Sequence, residues 1–325
     1  MSSQSSNANL IIQLGIIQRN LSKSVVLVLL ILGTIGSLLG LMVFSRKTFR
    51  KNPCSMYMIA YYLGNLTYIH IIIIQAVLYY GYDIMISSQN IHSCRVSLYM
   101  SIVLTVLCSC YLILASVDRI LITSRNAIIR QRSTRRLAFI SIISLTLFWL
   151  ICHIHVLIFS TILQSAPGYF VCYAQLGTYL SVLSYYMTSN AVLSPLILAC
   201  LGILAARNVS QIGKNQVHIV ASNDGISSNG ISQRLRSKDH QLIRVVLTDV
   251  LLYFISSFPL SIMVLYQQIS QYNIKTFEQT QIDSFIQYTC AVFGYIPYCM
   301  SFYINLLISK TFRNEVKSIF LFYKS

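Results

Sequence analysis

Residues Ser97–Arg119 read SLYMSIVLTVLCSCYLILASVDR. Through Val117 the run holds no charged side chain, and then Asp118 and Arg119 arrive side by side. A helix needs about 20 mainly apolar residues to cross a bilayer. The run therefore predicts a spanning helix that ends in a charged pair.

Working outward, six further stretches have the same character: Ser24–Ser45, Ser55–Tyr80, Leu137–Leu163, Leu176–Ala206, Gln241–Gln268 and Asp283–Ser309, with the first run counted as Ser97–Ile122. The last of the seven contains Gly294 and Pro297, which spanning helices tolerate because neighbouring helices re-satisfy the backbone. Over the whole chain, 55% of residues are hydrophobic and only 10% are charged. Soluble domains carry about 25% charged residues, too many more for this chain to cover a water-facing surface. The predicted fold class is an all-α integral membrane protein, a seven-helix bundle.

The net charge of +16 raises the question of nucleic acid, but its distribution answers it. Twenty of the 24 Lys and Arg fall in alternate connections, after spans one, three, five and seven. Arg19, Lys23, Arg95 and Lys275 are the four on the other side. Basic loops stay on the cytoplasmic side, where anionic lipid attracts them. The reading is an extracellular N-terminus, a cytoplasmic C-terminus and no nucleic-acid partner. Met1–Gln18 lacks a basic start followed by an apolar core, so span one is expected to act as its own insertion signal.

Residues 1–23 read as a polar extracellular tail, 24–309 as the seven-span unit, and 310–325 as a cytoplasmic tail. Asn20-Leu21-Ser22 is a glycosylation sequon on the outer side. Residues 208–239 include ASNDGISSNGIS, a composition expected of a flexible loop. In the tail, Phe312, Val316, Ile319 and Phe320 recur at helical spacing between basic residues, which predicts an amphipathic helix on the inner leaflet.

Cys94 and Cys172 are the two cysteines on the predicted outer side. An oxidising exterior permits a disulfide between them, a reading favoured over two free thiols. Cys108 and Cys110 have no partner pair at zinc spacing, so no metal site is expected. Arg119 lies 25 residues after Cys94, roughly 37 Å of helix, and so at the opposite mouth of the bundle. Ser101, Thr105, Cys108, Leu112, Ala115 and Arg119 share one stripe, whose small and polar members suit a face turned to other helices. His153 and His155, two positions apart, cannot share a helix face and read as packing or interfacial residues.

These residues together resemble the rhodopsin-like G-protein-coupled receptors over all seven spans. The resemblance rests on Cys94 with Cys172, Asp118-Arg119, Trp149 in span four, Pro195 in span five, Pro259 in span six, and Tyr303 followed by Phe312-Arg313. The wording SVDR, CMSFY and SKTFR is closest to divergent orphan receptors loosely similar to neuropeptide receptors. The resemblance implies a plasma-membrane receptor, helix pivots at Pro195 and Pro259, and a coupling switch of Asp118, Arg119 and Tyr303. It also implies that an acid about 20 residues before the helix-six proline bridges to Arg119, and that position holds Asp239. The implied partners are a heterotrimeric G protein, an extracellular ligand and the lipid bilayer, with no cofactor and no enzymatic activity.

The chain departs from the family at several motif positions. Asn65 stands where the helix-two aspartate is usual, Cys108 replaces a helix-three hydroxyl, and Cys299–Tyr303 replaces NPxxY. Ser257 replaces the helix-six tryptophan, leaving Tyr253, Phe254 or Phe258 for any aromatic toggle, and Ile120 follows Arg119 where tyrosine is usual. Ser101 replaces the aspartate of amine receptors and Phe293 the lysine of opsins. The expected pocket lining is uncharged: Gln75, Ser101, Thr105, Tyr185, Tyr186, Ser257, Gln287 and Tyr288, which suits a peptide or neutral small molecule. A transporter or channel is the competing reading. Transporters show repeats and charges at the midplane, whereas here Asp249 is nearly the sole interior charge.

Overall fold

The computed structural model describes residues 2–50, 52–124, 126–166, 169–220, 230–271 and 273–322. The side chains of 2–8, 48, 127, 165–166, 169, 209–220, 230–240, 311 and 320–322 lie outside that description. Seven helices are long and apolar enough to cross a membrane: Asn9–Phe44, Pro53–Gly81, Ile91–Thr123, Arg135–Ile158, Thr178–Asn208, Gln241–Ile269 and Phe277–Ile308. They are called helices one to seven below. The bundle has a hairpin end, where Cys94 lies, and a basic end, where Arg119 lies.

Helix starts follow local sequence. Asn52 caps helix two, accepting from the Cys54 amide at 3.0 Å ahead of Pro53, the position where proline's missing N–H costs nothing. Asn90, Thr134 and Thr276 accept from backbone amides in the same way at helices three, four and seven. Inside the bundle, helices two, three, six and seven supply most of the buried core, and helix four is largely exposed. On the predicted helix-three stripe, Cys108, Leu112, Ala115 and Arg119 are completely buried and Ser101 and Thr105 half-buried.

Helix one reaches helices two and seven through glycines. A Cβ on Gly33 would meet Cys299 Sγ at 2.8 Å, and one on Gly40 would meet the Tyr62 ring at 2.6 Å. Gly40→Val is therefore expected to destabilise the fold by about 1–3 kcal/mol through overpacking. Thermal denaturation of the purified protein checks it, since an unchanged midpoint requires the Tyr62 ring to have moved aside freely.

Three expectations change. The N-terminal tail is a helix, Ser2–Leu21, continuous with helix one through a π-helical turn at Ser22–Val26. Extending an existing helix avoids the cost of nucleation, and Ile11, Leu14, Gln18 and Leu21 make a half-buried stripe along it. The same economy applies around the 208–239 connection. Helix five continues to Val220 and helix six begins at Gly230, while residues 221–229 lie outside the described part. Span four ends at Ile158 rather than Leu163, because Ser160–Ala166 (β1) and Tyr169–Ala174 (β2) pair as an antiparallel hairpin. The helix expected after span seven is present as Lys310–Phe322, and Phe312 packs on the bundle: it is 1% exposed, with its ring 5.7 Å from Phe44 and 5.4 Å from Phe302. Phe320's side chain lies outside the described residues.

The disulfide is present. Cys94 at the head of helix three bonds Cys172 of β2, with Cα atoms 5.3 Å apart. The Cys172 amide donates to Ser88 Oγ at 3.1 Å, so the hairpin is tied to the connection between helices two and three as well.

Candidate functional site

At the basic end, Asp118 and Arg119 are buried, at 4% and 0% exposure. Sequence spacing put Arg119 at the mouth of the bundle on a stripe turned to other helices, and it is buried there. The guanidinium donates to the Asp118 carboxylate and to Asn52 Oδ1 at 2.9 Å. Ser133 Oγ donates to the other Asp118 oxygen from the connection between helices three and four. A buried ion pair is tolerable only when its remaining valences are satisfied. Asn52 and Ser133 contribute to that, so the N-cap of helix two doubles as an anchor for the end of helix three. Asp239, the expected partner of Arg119, belongs to the helix leading into helix six, but its side chain falls outside the described residues.

A second polar cluster lies deeper, on helix six. Asp249 is fully buried. Its carboxylate accepts from Ser301 Oγ at 2.7 Å and from Asn305 Nδ2 at 3.0 and 3.1 Å, both on helix seven. From helix two, Tyr62 Oη lies 3.0 Å from Ser301 Oγ and accepts from Asn305 Nδ2 at 3.2 Å. Hydrogen bonds in a low-dielectric interior are electrostatically stronger than in water. The acid thus ties helix six to helices two and seven.

Tyr303, expected in the switch, points elsewhere. Its hydroxyl donates to the Leu32 carbonyl of helix one at 3.0 Å, and its ring lies 3.1 Å from the position a Cβ on Gly36 would take. Tyr62 is the tyrosine that reaches the cluster. No periodicity in the sequence marked it, although Gly40, which makes room for its ring, marks a close approach.

The two expected pivots, Pro195 and Pro259, lie inside helices five and six. Pro195 is buried and lacks the N–H that would bond the Ala191 carbonyl one turn back. Ser261 Oγ of helix six, two residues after Pro259, donates to that carbonyl at 2.6 Å. Proline in helix five therefore creates a cross-link to helix six. Of the candidate toggle aromatics, Tyr253 is buried, whereas Phe258 is 52% exposed.

The eight expected pocket residues do not converge. Gln75 lines a cavity of about 260 Å³ under the hairpin, together with Tyr295, Val171 and Cys172, and accepts from Ser97 Oγ at 2.7 Å. Ser101 and Thr105 donate back to their own helix, to the Ser97 and Ser101 carbonyls. Such i−4 bonds are the common alternative for hydroxyls in helices. The Ser257 carbonyl lies 3.0 Å from Ser261 Oγ, as the alternative acceptor for its one hydroxyl proton. Tyr185 and Gln287 lie in exposed contacts with Gln271 and Gln267, and Tyr288 is buried with its ring 4.1 Å from Tyr80. Asn20 is exposed on the N-terminal helix rather than in a loop, and its carbonyl accepts from Ser24 Oγ at 2.6 Å.

Tyr186 bonds His153 Nε2 at 2.8 Å, and Tyr179 bonds His155 Nδ1 at 2.8 Å. Both histidines thus face helix five, against the expectation from helical spacing. The reason is a break: helix four is regular over Arg135–Cys152, His153 has φ −94° and ψ 3°, and a last turn runs Ile154–Ile158. Among the described residues, no group of three or more His, Cys, Asp or Glu could hold a metal ion. No family model matches this chain, and no curated protein matches it in sequence.

Proposed function

We propose that this chain is a plasma-membrane receptor of the rhodopsin-like, G-protein-coupled kind. The hairpin end faces outward and the basic end meets a heterotrimeric G protein. The observation that carries the reading is the Asp118–Arg119 pair. A disulfide fixes the head of helix three, and 25 residues on, its far end presents an arginine held inside the bundle by Asp118 and Asn52. A charge kept at the mouth by exchangeable hydrogen bonds suits a two-state device. A ligand shifts such a device by binding one state better than the other.

The displaced motifs have a substitute. Asp249, Ser301, Asn305 and Tyr62 hold helix six against helices two and seven, and Ser261 ties it to helix five. We assign these contacts as the resting-state latch, released when helix six swings out. Arg119 and the basic connection between helices three and four then contact the G protein, with Asp239 as a further resting-state partner.

The test is recruitment of G proteins in cells, comparing wild type with Arg119→Ala at matched surface expression. Wild type is expected to show basal or ligand-driven coupling, and Arg119→Ala to lose at least about tenfold of it, as expected for a charge-assisted contact worth more than 1.4 kcal/mol. No coupling of wild type to any G protein overturns the reading. A transporter has one observation in its favour, the buried intramembrane acid Asp249. That reading expects Asp249→Asn to abolish solute flux, while the receptor reading expects altered basal coupling.

A further inference from the structure

Helices one and two meet at the hairpin end through irregular backbone. Three π-helical turns, Ser22–Val26, Ile69–Ile73 and Val77–Gly81, are gathered there. Ser22 Oγ donates to the Ala76 carbonyl at 3.4 Å across the junction. Such wide turns are frequent at functional sites. Beyond the third, Asp83 adopts φ +58°, a left-handed conformation uncommon outside glycine.

Against this junction the N-terminal helix leaves a cleft of about 450 Å³, within the range of small-molecule sites. Its walls include Ile12, Ile16, Tyr79 and Met85, and its polar groups include Arg19 and Asp83, which are paired with each other and both half exposed. Tyr79, Tyr80 and Met85 also line the 260 Å³ cavity under the hairpin, so the two spaces share one wall. Through Tyr80 that wall touches Tyr288 of helix seven, at 4.1 Å between ring centroids.

Local charge gives the ligand's sign. Arg19 is paired with the acid Asp83, and Lys23, one turn further on, adds a second positive charge nearby, 5.0 Å from the Tyr82 ring centroid. A half-exposed ion pair is cheap to exchange, and a guanidinium binds an incoming carboxylate with two parallel bonds. The apolar walls suit a hydrocarbon or aromatic body beside that head group.

We propose that this cleft binds an apolar ligand carrying a carboxylate, which replaces Asp83 on Arg19 while its body lies on Tyr79, Ile12 and Ile16. As the ligand site of the receptor described above, the inference rests on that reading for its signalling role. A fatty acid and the free C-terminus of a short apolar peptide share this chemistry.

Binding is measured on the full chain in lipid nanodiscs without G protein, with empty nanodiscs subtracted. The probes are octanoate against octanol, and N-acetyl-Phe-Leu against its C-terminal amide. At least one carboxylate probe is expected to bind saturably, about tenfold or more tighter than its uncharged analogue. Arg19→Gln is expected to remove that advantage, and Asp83→Asn to strengthen carboxylate binding by removing the competitor. Both substitutions are at half-exposed positions, and unchanged thermal midpoints establish that the variants fold. Octanoate alone binding assigns a lipid-derived ligand, and the peptide alone assigns a peptide terminus. Saturable binding by neither probe, equal binding of the uncharged analogues, or undiminished carboxylate binding by Arg19→Gln overturns the proposal. Equal losses in Arg19→Gln and Asp83→Asn also overturn it, since the pair would then only shape the cleft. Binding without any G-protein coupling leaves the cleft standing and removes the receptor reading, so the two fail separately.

Discussion

Asp249→Ala is expected to destabilise the bundle by about 2–5 kcal/mol, because it removes the carboxylate acceptor shared by two buried donors. Asn305 Nδ2 gives both its short carboxylate contacts to this residue, and Ser301 Oγ gives one. Neither group has water at hand, since both residues are almost fully buried. Asn305 would retain its 3.2 Å contact to Tyr62 Oη, which sets the lower part of the range. Thermal denaturation in detergent reads the loss, and under the receptor reading basal coupling rises with it, because the contacts released are those holding helix six. Asp249→Leu combined with Asn305→Leu is the decisive companion. Replacing both partners of a buried polar contact by apolar groups of similar shape is often nearly neutral, so the double variant should recover much of the midpoint. A double variant as unstable as the sum of the singles would show that the cluster contributes shape rather than paired hydrogen bonds.

Cys94→Ser is the second large effect. The disulfide closes a loop across a sequence separation of 78 that contains nearly all of helix three, helix four, β1 and the first part of β2. Loss of a native disulfide typically costs about 2–5 kcal/mol, with longer loops toward the upper part of that range. The consequence for function is more local. Val171 and Cys172 roof the cavity under the hairpin, and Cys172 N also reaches Ser88. Without the bond, β1 and β2 remain a two-stranded ribbon, which has marginal stability on its own. Ligand binding should therefore fall along with the thermal midpoint. Reductant should reproduce the effect in wild type and do nothing further to Cys94→Ser. A wild type indifferent to reductant while Cys94→Ser is impaired would assign the loss to packing at Cys94, which is fully buried.

The seven long helices were legible because burial in hydrocarbon demands continuous apolar runs, which the sequence displays directly. Their cysteine staple was legible because only two cysteines fall on one side. Partnerships inside the bundle were harder to read. Asp249 stands out in sequence as an interior acid, but Ser301, Asn305 and Tyr62 come from two other helices, and their register depends on packing rather than on local pattern. Tyr303 shows the sensitivity. Its neighbour Phe302 faces the core at 2% exposure, whereas Tyr303, about 100° further around the helix, bonds helix one. His153 shows another kind of loss: the face argument assumed an unbroken helix, and the break lies at that residue. The polar N-terminal segment concealed its helix because composition reports solvent exposure, not whether a neighbouring helix supplies the first turn.

The wide turns of helix two have a consequence for the azimuth of everything beyond them. A π turn accommodates one residue more than an α turn, so each sets the following side chains about 100° out of phase with an unbroken α-helix. Two such turns, Ile69–Ile73 and Val77–Gly81, stand in series before Tyr82 and Asp83, and the first precedes Tyr79 and Tyr80. Which tyrosines face the cleft is thus a matter of accumulated rotation, not of spacing counted from Pro53. Deleting one residue within Ile69–Ile73 would leave the composition of helix two almost untouched and yet turn a different set of side chains toward the ligand.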